Sequence, residues 1–396
     1  MSDWHLRSVN FLRRIQTKNG APSIPDGPIT LYGTCYSLLA LNFLGESVHI
    51  TPELRQFVLN TQNEESGLFV GPELMGFQAI PNVLHDRDHL LLHLTCAALP
   101  FFQQFSIEPY HSIKKAYQFL DLNFLKQWLD AKDLKHAWFE GNNFLFVGQL
   151  LVYLRDVEKH PDASQALSLW FRWLDTQADP KTGLWGTNGH CSPMEAVYGG
   201  YHQLLVYYYE SHKLSNVHGL VDMVLALQHE GGGFNPNGNG GACEDVDSVD
   251  ILVNCYKRTV YRRDDIRHAL RRCLRHILST QNLDGGFPYN RDQHQSHMGI
   301  PGTEAGPNVS CTFPTWFRIH TLALIAEVLP NDFQLKGIPF KFNKALGMGW
   351  HASPPGWVPI SDALTLKERS IAFQFTAKQF RQKIRRVLQR ARWLGG

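Results

Sequence analysis

The chain has 396 residues and a formal net charge of +2; 43% of its residues are hydrophobic, 12% aromatic and 19% charged. This composition excludes a disordered chain, and the charge argues against nucleic-acid binding through overall charge. No apolar run reaches the ~18 residues of a membrane span, and the N-terminus lacks the features of a secretory signal. Seven cysteines without a CxxC pair favour a reduced, cytoplasmic setting.

One motif recurs six times along the chain. In five copies an apolar helical run leads to a Gln, a few polar residues, a Gly and usually an aromatic; the sixth copy carries Lys132 in place of the Gln. The copies start at 16, 62, 132, 177, 228 and 281, so the spacings are 46, 70, 45, 51 and 53 residues. Each spacing fits one helical hairpin. The Gly allows the chain to turn, and the Gln amide can bond backbone groups left open at the helix end.

Six helical hairpins predict an all-α domain over residues 1–350. The first and last units are as apolar as the middle ones, whereas an open solenoid needs polar terminal repeats. We therefore expect an α/α toroid, in which six inner and six outer helices close around a central cavity. Two stretches, 71–110 and 290–316, are expected to be long irregular insertions.

The first insertion contains a group of histidines. His85, His89 and His93 are four residues apart, so they would share one face of a helix. Histidines so arranged can bind a metal, but no cysteine or acid pattern completes a known site. We predict a polar helix face here, with no metal and no cofactor.

The next two units place polar side chains at the start of an inner helix. Such groups either cap the helix or face the central cavity. In the second unit a pair of glycines, Gly199 and Gly200, permits close approach by a ligand or a neighbouring helix. The candidate cavity residues are Trp138, Glu140 and Asn142 in the first unit, and His190, Glu195, Tyr198 and His202 in the second.

The densest acidic cluster follows Gln228 and a Gly/Asn-rich loop. Glu244, Asp245, Asp247 and Asp250 fall within seven residues, just before an apolar helical stretch. Capping a helix N-terminus accounts for one acid, but four like charges cost free energy unless a proton, a metal or a cation offsets them. Three successive units thus present polar groups at the same level of the ring, which predicts one functional cavity.

The stretch from Gln228 to Phe287 resembles the class II terpene cyclases of the squalene–hopene cyclase type. In that family a Gly-rich loop with an aromatic leads to an Asp-x-Asp-Asp motif at the top of an inner helix, and later to a Gln-x-x-Asp-Gly-Gly-aromatic motif. The chain has GGGF, then Asp245-Val246-Asp247-Ser248, then Gln281 to Phe287, in the same order. Over positions 10–330 the resemblance is at the level of the repeats, which are shared with protein prenyltransferase β subunits and other toroids.

The resemblance implies protonation-initiated cyclisation of a linear isoprenoid. Asp247 matches the family's general acid, and Asp245 would tune it. Aromatic faces would stabilise the cationic intermediates. Besides Trp138 and Tyr198, the candidate aromatic residues are Phe139, Trp185, Tyr201, Tyr207, Trp316 and Phe317.

The sequence departs from the family pattern in three respects. Ser248 stands at the fourth motif position, where the family usually has Asp. The chain is shorter than the usual two-domain cyclases and is expected to contain one toroid. Asp250 adds a carboxylate, one helical turn after Asp247, that the pattern does not include.

Other functions remain open on the same scaffold. A carbohydrate-active toroid, whether a hydrolase, an epimerase or a lyase, would use paired carboxylates, Tyr and His against a glycan. A protein prenyltransferase would bind zinc through Asp, Cys and His with the Cys two residues after the Asp, whereas Asp247 occupies that position after Asp245; a site with Cys243 is not excluded. A non-catalytic ring that binds a partner would not require the acidic cluster.

The charge is distributed unevenly between the ring and the C-terminal extension. Residues 351–396 carry nine basic groups and two acids, a balance of +7 that leaves −5 for residues 1–350. Apolar residues at helical spacing predict a basic amphipathic helix in the extension. This helix either packs on the ring or contacts an anionic membrane surface. The apolar positions are Phe380, Ile384, Val387 and Leu388.

Overall fold

The computed structural model of the chain describes residues 3–77, 86–238, 240–351 and 357. Within these ranges, outer and inner α-helices alternate along the chain. The outer helices are α1 (Asp3–Arg14), α3 (Pro52–Leu59), α5 (Leu122–Asp130), α7 (Ala163–Gln177), α9 (Val217–Ala226) and α11 (Arg263–Thr280). The inner helices are α2 (Leu31–Phe43), α4 (Arg87–Gln104), α6 (Ala137–Asp156), α8 (Pro193–Tyr209), α10 (Ala242–Tyr256) and α12 (Thr312–Val328).

Burial distinguishes the two sets of helices. Nearly every residue of α2, α10 and α12 is buried, because these helices are surrounded by others. The outer helices α1 and α11 bury one apolar face and keep most of their charged residues on the other, although Arg267 and Arg271 of α11 are buried. Each inner helix contacts the next, and α12 packs against α2, so the ring is closed. The prediction of an α/α toroid is confirmed.

In three copies of the motif, those of Gln62, Gln228 and Gln281, the Gln side chain bonds the backbone as expected, whereas Gln16 and Gln177 donate to side-chain hydroxyls. Gln228 Nε2 donates to the carbonyl oxygen of Gly232 in its own turn and to that of Ala269 in the next hairpin, each at 2.8 Å. Gln281 Nε2 donates to the carbonyl oxygen of Gly285 and to that of Trp4, each at 3.0 Å. The second of these bonds joins the last hairpin to the first, so a repeated local motif also closes the ring.

The prediction of a long irregular stretch at 71–110 is wrong, because this stretch contains the inner helix α4. Few polar positions interrupt α4, which runs through Pro100 and is buried over most of its length. The stretch from 290 onwards is irregular as far as Cys311, where α12 begins. Its connecting loop lies over one end of the ring, and two short strands, β1 (Ala21–Pro22) and β2 (Ile29–Thr30), form a small antiparallel pair.

Some predictions fall outside the described residues. His85 and the four apolar positions of the predicted C-terminal helix are among them. His89 and His93 lie on α4 and are buried. No helix in the described ranges is long and apolar enough to cross a membrane.

Candidate functional site

A cavity of about 520 Å³ opens at the end of the ring where α6, α8, α10 and α12 begin. A mixture of polar and aromatic side chains surrounds it. On the helices these are His93, Trp138, Phe139, Asn142, Glu195, His202, Cys243, Asp247, Phe313 and Phe317. The loops contribute His136, Tyr289, Asn290, Gln293, His294, Gln295, Ser296, His297, Met298 and Met348.

Helices α6 and α8 approach each other closely at the cavity wall. A Cβ atom on Gly199 would lie 2.1 Å from the carbonyl oxygen of Ala137, and one on Gly141 would lie 2.3 Å from the carbonyl oxygen of Gly199. Only glycine fits at such a distance, so Gly199 of α8 allows the close approach of α6, whereas Gly200 faces the Leu184 side chain. The Glu195 carboxylate then accepts a hydrogen bond of 3.0 Å from the Trp138 N–H. This contact fixes Trp138 and Glu195 side by side in the wall.

Asp247 is the acid of the cluster that reaches the cavity. Its side chain lies on α10, is 1% exposed, and has no hydrogen-bond partner for Oδ2 among the described residues. Burial raises the pKa of Asp247 well above its ordinary value, and the neighbouring acids Glu244, Asp250 and Asp245 raise it further. The carboxyl group therefore retains its proton to a higher pH than an exposed aspartate does.

Asp245 lies on the other side of α10, away from the cavity. Its carboxylate is completely buried, forms an ion pair with the buried Arg318 of α12, and accepts a hydrogen bond of 2.8 Å from the Phe234 N–H. His276 Nε2 is 3.6 Å from the same carboxylate. Arg318 also donates to the carbonyl oxygens of Gly240 and Tyr289, so the pair joins α10 to both loops at the cavity rim.

The other two acids of the cluster are buried beside the cavity. Glu244 accepts a hydrogen bond of 2.7 Å from the Tyr289 hydroxyl, while burial raises the pKa of Glu244. Asp250 lies deeper along α10, accepts a hydrogen bond of 3.0 Å from Asn254 Nδ2, and has its pKa raised by burial to about 7. The hydroxyl of Ser248, at the departure from the family motif, is buried without a hydrogen-bond partner in the described chain.

Several predicted cavity residues lie elsewhere. Glu140 turns toward Lys132, at 3.4 Å, and accepts a hydrogen bond from Asn143, which makes it part of the packing between α6 and its preceding loop. His190 is exposed in the turn before α8, so the prediction that it faces the cavity is wrong. The Tyr198 hydroxyl donates to the carbonyl oxygen of Phe234, and its ring packs on Trp138 behind the wall.

Sequence reasoning missed part of the cavity wall. Tyr289 and Phe313 line it, and so do the polar side chains of the loop from 290 to 298. The loop carries no helical period that would orient its side chains, although its position after the last Gly-Gly-aromatic motif placed it at the level of the ring's end. No group of three or more His, Cys, Asp or Glu side chains in the described part of the chain is arranged to hold a metal ion.

One comparison with known proteins supports the fold. A family model described as the prenyltransferase alpha-alpha toroid domain matches residues 121–303, which lie within the ring. A search of curated proteins gave no match. Among solved structures, the chain is similar to a glycosyl hydrolase family 88 protein from Bacteroides vulgatus and to a polysaccharide lyase. The first is 14% identical with a TM-score of 0.44 over 81% of this chain and 97% of that one. The second is 11% identical with a TM-score of 0.44 over 81% and 96%.

Proposed function

We propose that the protein is an acid–base enzyme that acts on a carbohydrate in the toroid cavity, with Asp247 as general acid. The observation that carries the proposal is the composition of the cavity wall, in which the buried acid Asp247 lines the cavity together with aromatic rings and many hydrogen-bonding side chains. The reaction would be a hydrolysis, an elimination or an epimerisation of a sugar unit.

The polar wall favours a sugar over a hydrocarbon. Amide side chains such as Asn142, Asn290 and Gln293 can both donate and accept hydrogen bonds, which suits the hydroxyl groups of a sugar. Asn142 Nδ2 donates to the Trp138 carbonyl oxygen and Asn290 Nδ2 to Gln293 Oε1, so a hydrocarbon in the same place would dehydrate the remaining amide atoms, at a cost of about 1–3 kcal/mol for each one. The rings of Trp138 and Phe313 offer flat apolar surfaces for the C–H face of a sugar ring.

Asp247 has the properties that a general acid requires. A group that protonates a leaving oxygen must hold its proton at the working pH, and the pKa of Asp247 is raised by burial and by neighbouring acids. Asp245 cannot take this role, since its carboxylate is paired with Arg318 and does not line the cavity. It would instead contribute charge that keeps the proton on Asp247.

Isoprenoid cyclisation is the second candidate, and one observation favours it. In the resemblance to the class II cyclases, the acid is the middle Asp of the Asp-x-Asp-Asp motif. Here that residue is Asp247, whose carboxyl group lines the cavity and has a raised pKa. Phe139, Phe313 and Phe317 would then face the cationic intermediates. The polar loop residues weigh against this candidate.

One incubation experiment tests both candidates. The purified full chain is incubated with a panel of neutral and uronic-acid oligosaccharides and, in parallel, with farnesyl diphosphate, geranylgeranyl diphosphate and squalene, and products are analysed by mass spectrometry. We expect turnover of an oligosaccharide that falls about 10²–10⁴-fold in Asp247→Asn, because general acid catalysis contributes about that factor.

The control is Asp222→Asn, at an aspartate of the outer helix α9 that is 47% exposed and does not line the cavity. It should retain most of the activity. Turnover of an isoprenoid and of no sugar would replace the first candidate by the second, and full activity of Asp247→Asn would remove Asp247 from either mechanism.

A further inference from the structure

His202 is a second titratable group of the cavity that has a fixed arrangement. It lies in the middle of α8, is 5% exposed and lines the same cavity as Asp247. Its Nδ1 is 2.8 Å from the carbonyl oxygen of Tyr198, one helical turn earlier. The position of the imidazole is thus set by its own helix.

The hydrogen bond to Tyr198 determines which ring nitrogen carries the proton. A carbonyl oxygen only accepts, so Nδ1 must be the donor and must hold the hydrogen. In the neutral ring Nε2 then has a free lone pair and is the acceptor. His93, another histidine of the wall, differs in this respect, because its Nδ1 meets the Tyr32 hydroxyl at 2.6 Å, and a hydroxyl can donate or accept.

The surroundings also keep the His202 ring neutral. Burial lowers the pKa of His202 to about 4, although its hydrogen bonds to the backbone act in the opposite direction. At neutral pH the cavity therefore contains an imidazole without a proton on Nε2. The neighbouring inner helix contributes the carboxyl group of Asp247, which retains its proton to a higher pH than an exposed aspartate does.

We propose that His202 Nε2 is the proton acceptor in the reaction for which Asp247 is the donor, an inference that rests on the proposed function. In the step, a proton leaves an O–H or C–H bond of the substrate or of a water molecule and binds to Nε2. The electron pair that the proton leaves behind forms the new bond. The bond to the leaving oxygen breaks, and that oxygen takes the proton of Asp247. The pair ends as imidazolium and carboxylate, so the total charge of the cavity does not change.

The protonation state of His202 can be tested without a substrate. Long-range ¹H–¹⁵N NMR spectra of the full chain, labelled at histidine, should show His202 with the hydrogen on Nδ1 and an unprotonated Nε2 from pH 6 to pH 8. The signals are assigned with His202→Gln. An imidazolium, or a hydrogen on Nε2, in this pH range would overturn the inference.

A kinetic arm tests the role itself. With the oligosaccharide that the wild type turns over in the panel, we expect His202→Gln to lower kcat about 10²–10⁴-fold with little change in KM, as for a group that acts in the transition state. The control is His320→Gln, since His320 is another buried neutral histidine of an inner helix, with a pKa lowered by burial to about 3, but it does not line the cavity. Equal kcat values for the two variants would overturn the inference.

The two failures are distinguishable. If no sugar in the panel is turned over while His202 shows the expected tautomer, the proposed function fails and the acceptor role falls with it. If sugars are turned over but His202→Gln is unimpaired, the proposed function stands and the inference alone fails.

Discussion

The two sides of helix α10 place aspartate side chains in opposite environments. Asp245 and Asp247 are two residues apart, so they point to opposite sides of the helix, one toward α12 and the other toward the cavity. On the first side the carboxylate has a buried guanidinium and a backbone N–H as partners. On the second side the carboxyl group has no comparable partner in the described chain, and burial raises its pKa.

Glu244 is intermediate between the two aspartates. Its partner is the neutral Tyr289 hydroxyl, which stabilises the carboxylate less than a guanidinium does. The three acids therefore differ in their compensation, by a cation, by a hydroxyl or by neither. An acidic cluster in a sequence therefore need not be one site. Here Asp245 supports the structure of the rim, whereas Asp247 lines the cavity and has a raised pKa.

The largest expected effect follows from breaking the ion pair between Asp245 and Arg318. Arg318→Met leaves the buried Asp245 carboxylate without its cation, which costs about 3–5 kcal/mol in the free energy of unfolding. Urea denaturation of the full chain followed by circular dichroism measures this loss.

Arg262→Met is the control for this substitution, because Arg262 forms exposed ion pairs with Asp222 and Asp265. Its loss should be below about 1 kcal/mol. A loss of the same size in Arg318→Met would mean that Asp245 is not held as an isolated buried charge.

Much of the fold was predictable from the sequence because the determining signals are local. Each Gln motif is a short segment, and Gln228 and Gln281 bond the backbone of their own turns, so counting motifs predicted the hairpins and the ring. Helix α4 follows the Gln62 motif only after a long connection, and it was missed because most of its residues are buried without a clear polar face. The positions of Asp245 and Asp247 on one helix were also accessible from spacing.

The remainder of the candidate site depends on contacts between distant residues. Arg318 is 73 residues from Asp245 in the chain, and the sequence offers no pattern that pairs them. The wall residues of the 290–298 loop are oriented by its path over the ring, which follows no period. His190 was expected at the cavity because it precedes α8, but α8 begins at Pro193 and the turn before it is exposed.

The next largest effect concerns Asp247, on the cavity side of α10, and here substitution should increase the free energy of unfolding instead of lowering it. Asp247 has a folded-state pKa raised above its ordinary value of 3.8, so its contribution to stability is complete below pH 3.8 and is lost as the pH rises through the folded-state pKa. Asp247→Asn is neutral at every pH and does not suffer this loss. We therefore expect the variant to have a higher free energy of unfolding than the wild type at high pH, by about 1.4 kcal/mol for each pH unit that separates the folded-state pKa of Asp247 from its ordinary value. This gain shrinks toward zero as the pH falls to about 4.

Thermal and urea unfolding of the wild type and Asp247→Asn across pH 4–9 measures this difference. Asp245→Asn provides the matched comparison, since it removes the charge that pairs with Arg318 and should destabilise the protein. If both substitutions shifted stability in the same direction, the distinction between the two sides of α10 would be wrong.

The smallest expected effect concerns Glu244, the intermediate acid. Tyr289→Phe removes the hydroxyl that donates to the Glu244 carboxylate and keeps the ring in the cavity wall. The loss of one hydrogen bond to this acid costs about 1 kcal/mol, and the cost should be larger at high pH, because the Tyr289 hydroxyl lowers the pKa of Glu244 and thereby stabilises its charged form. Urea denaturation at pH 5 and pH 8 checks both the size of the cost and its trend with pH.

Tyr261→Phe, at a part-buried hydroxyl bonded to Asp222, is the matched control and should change stability less. A cost that did not grow with pH would show that Glu244 remains protonated like Asp247, and the cavity side of α10 would then contain two uncharged acids.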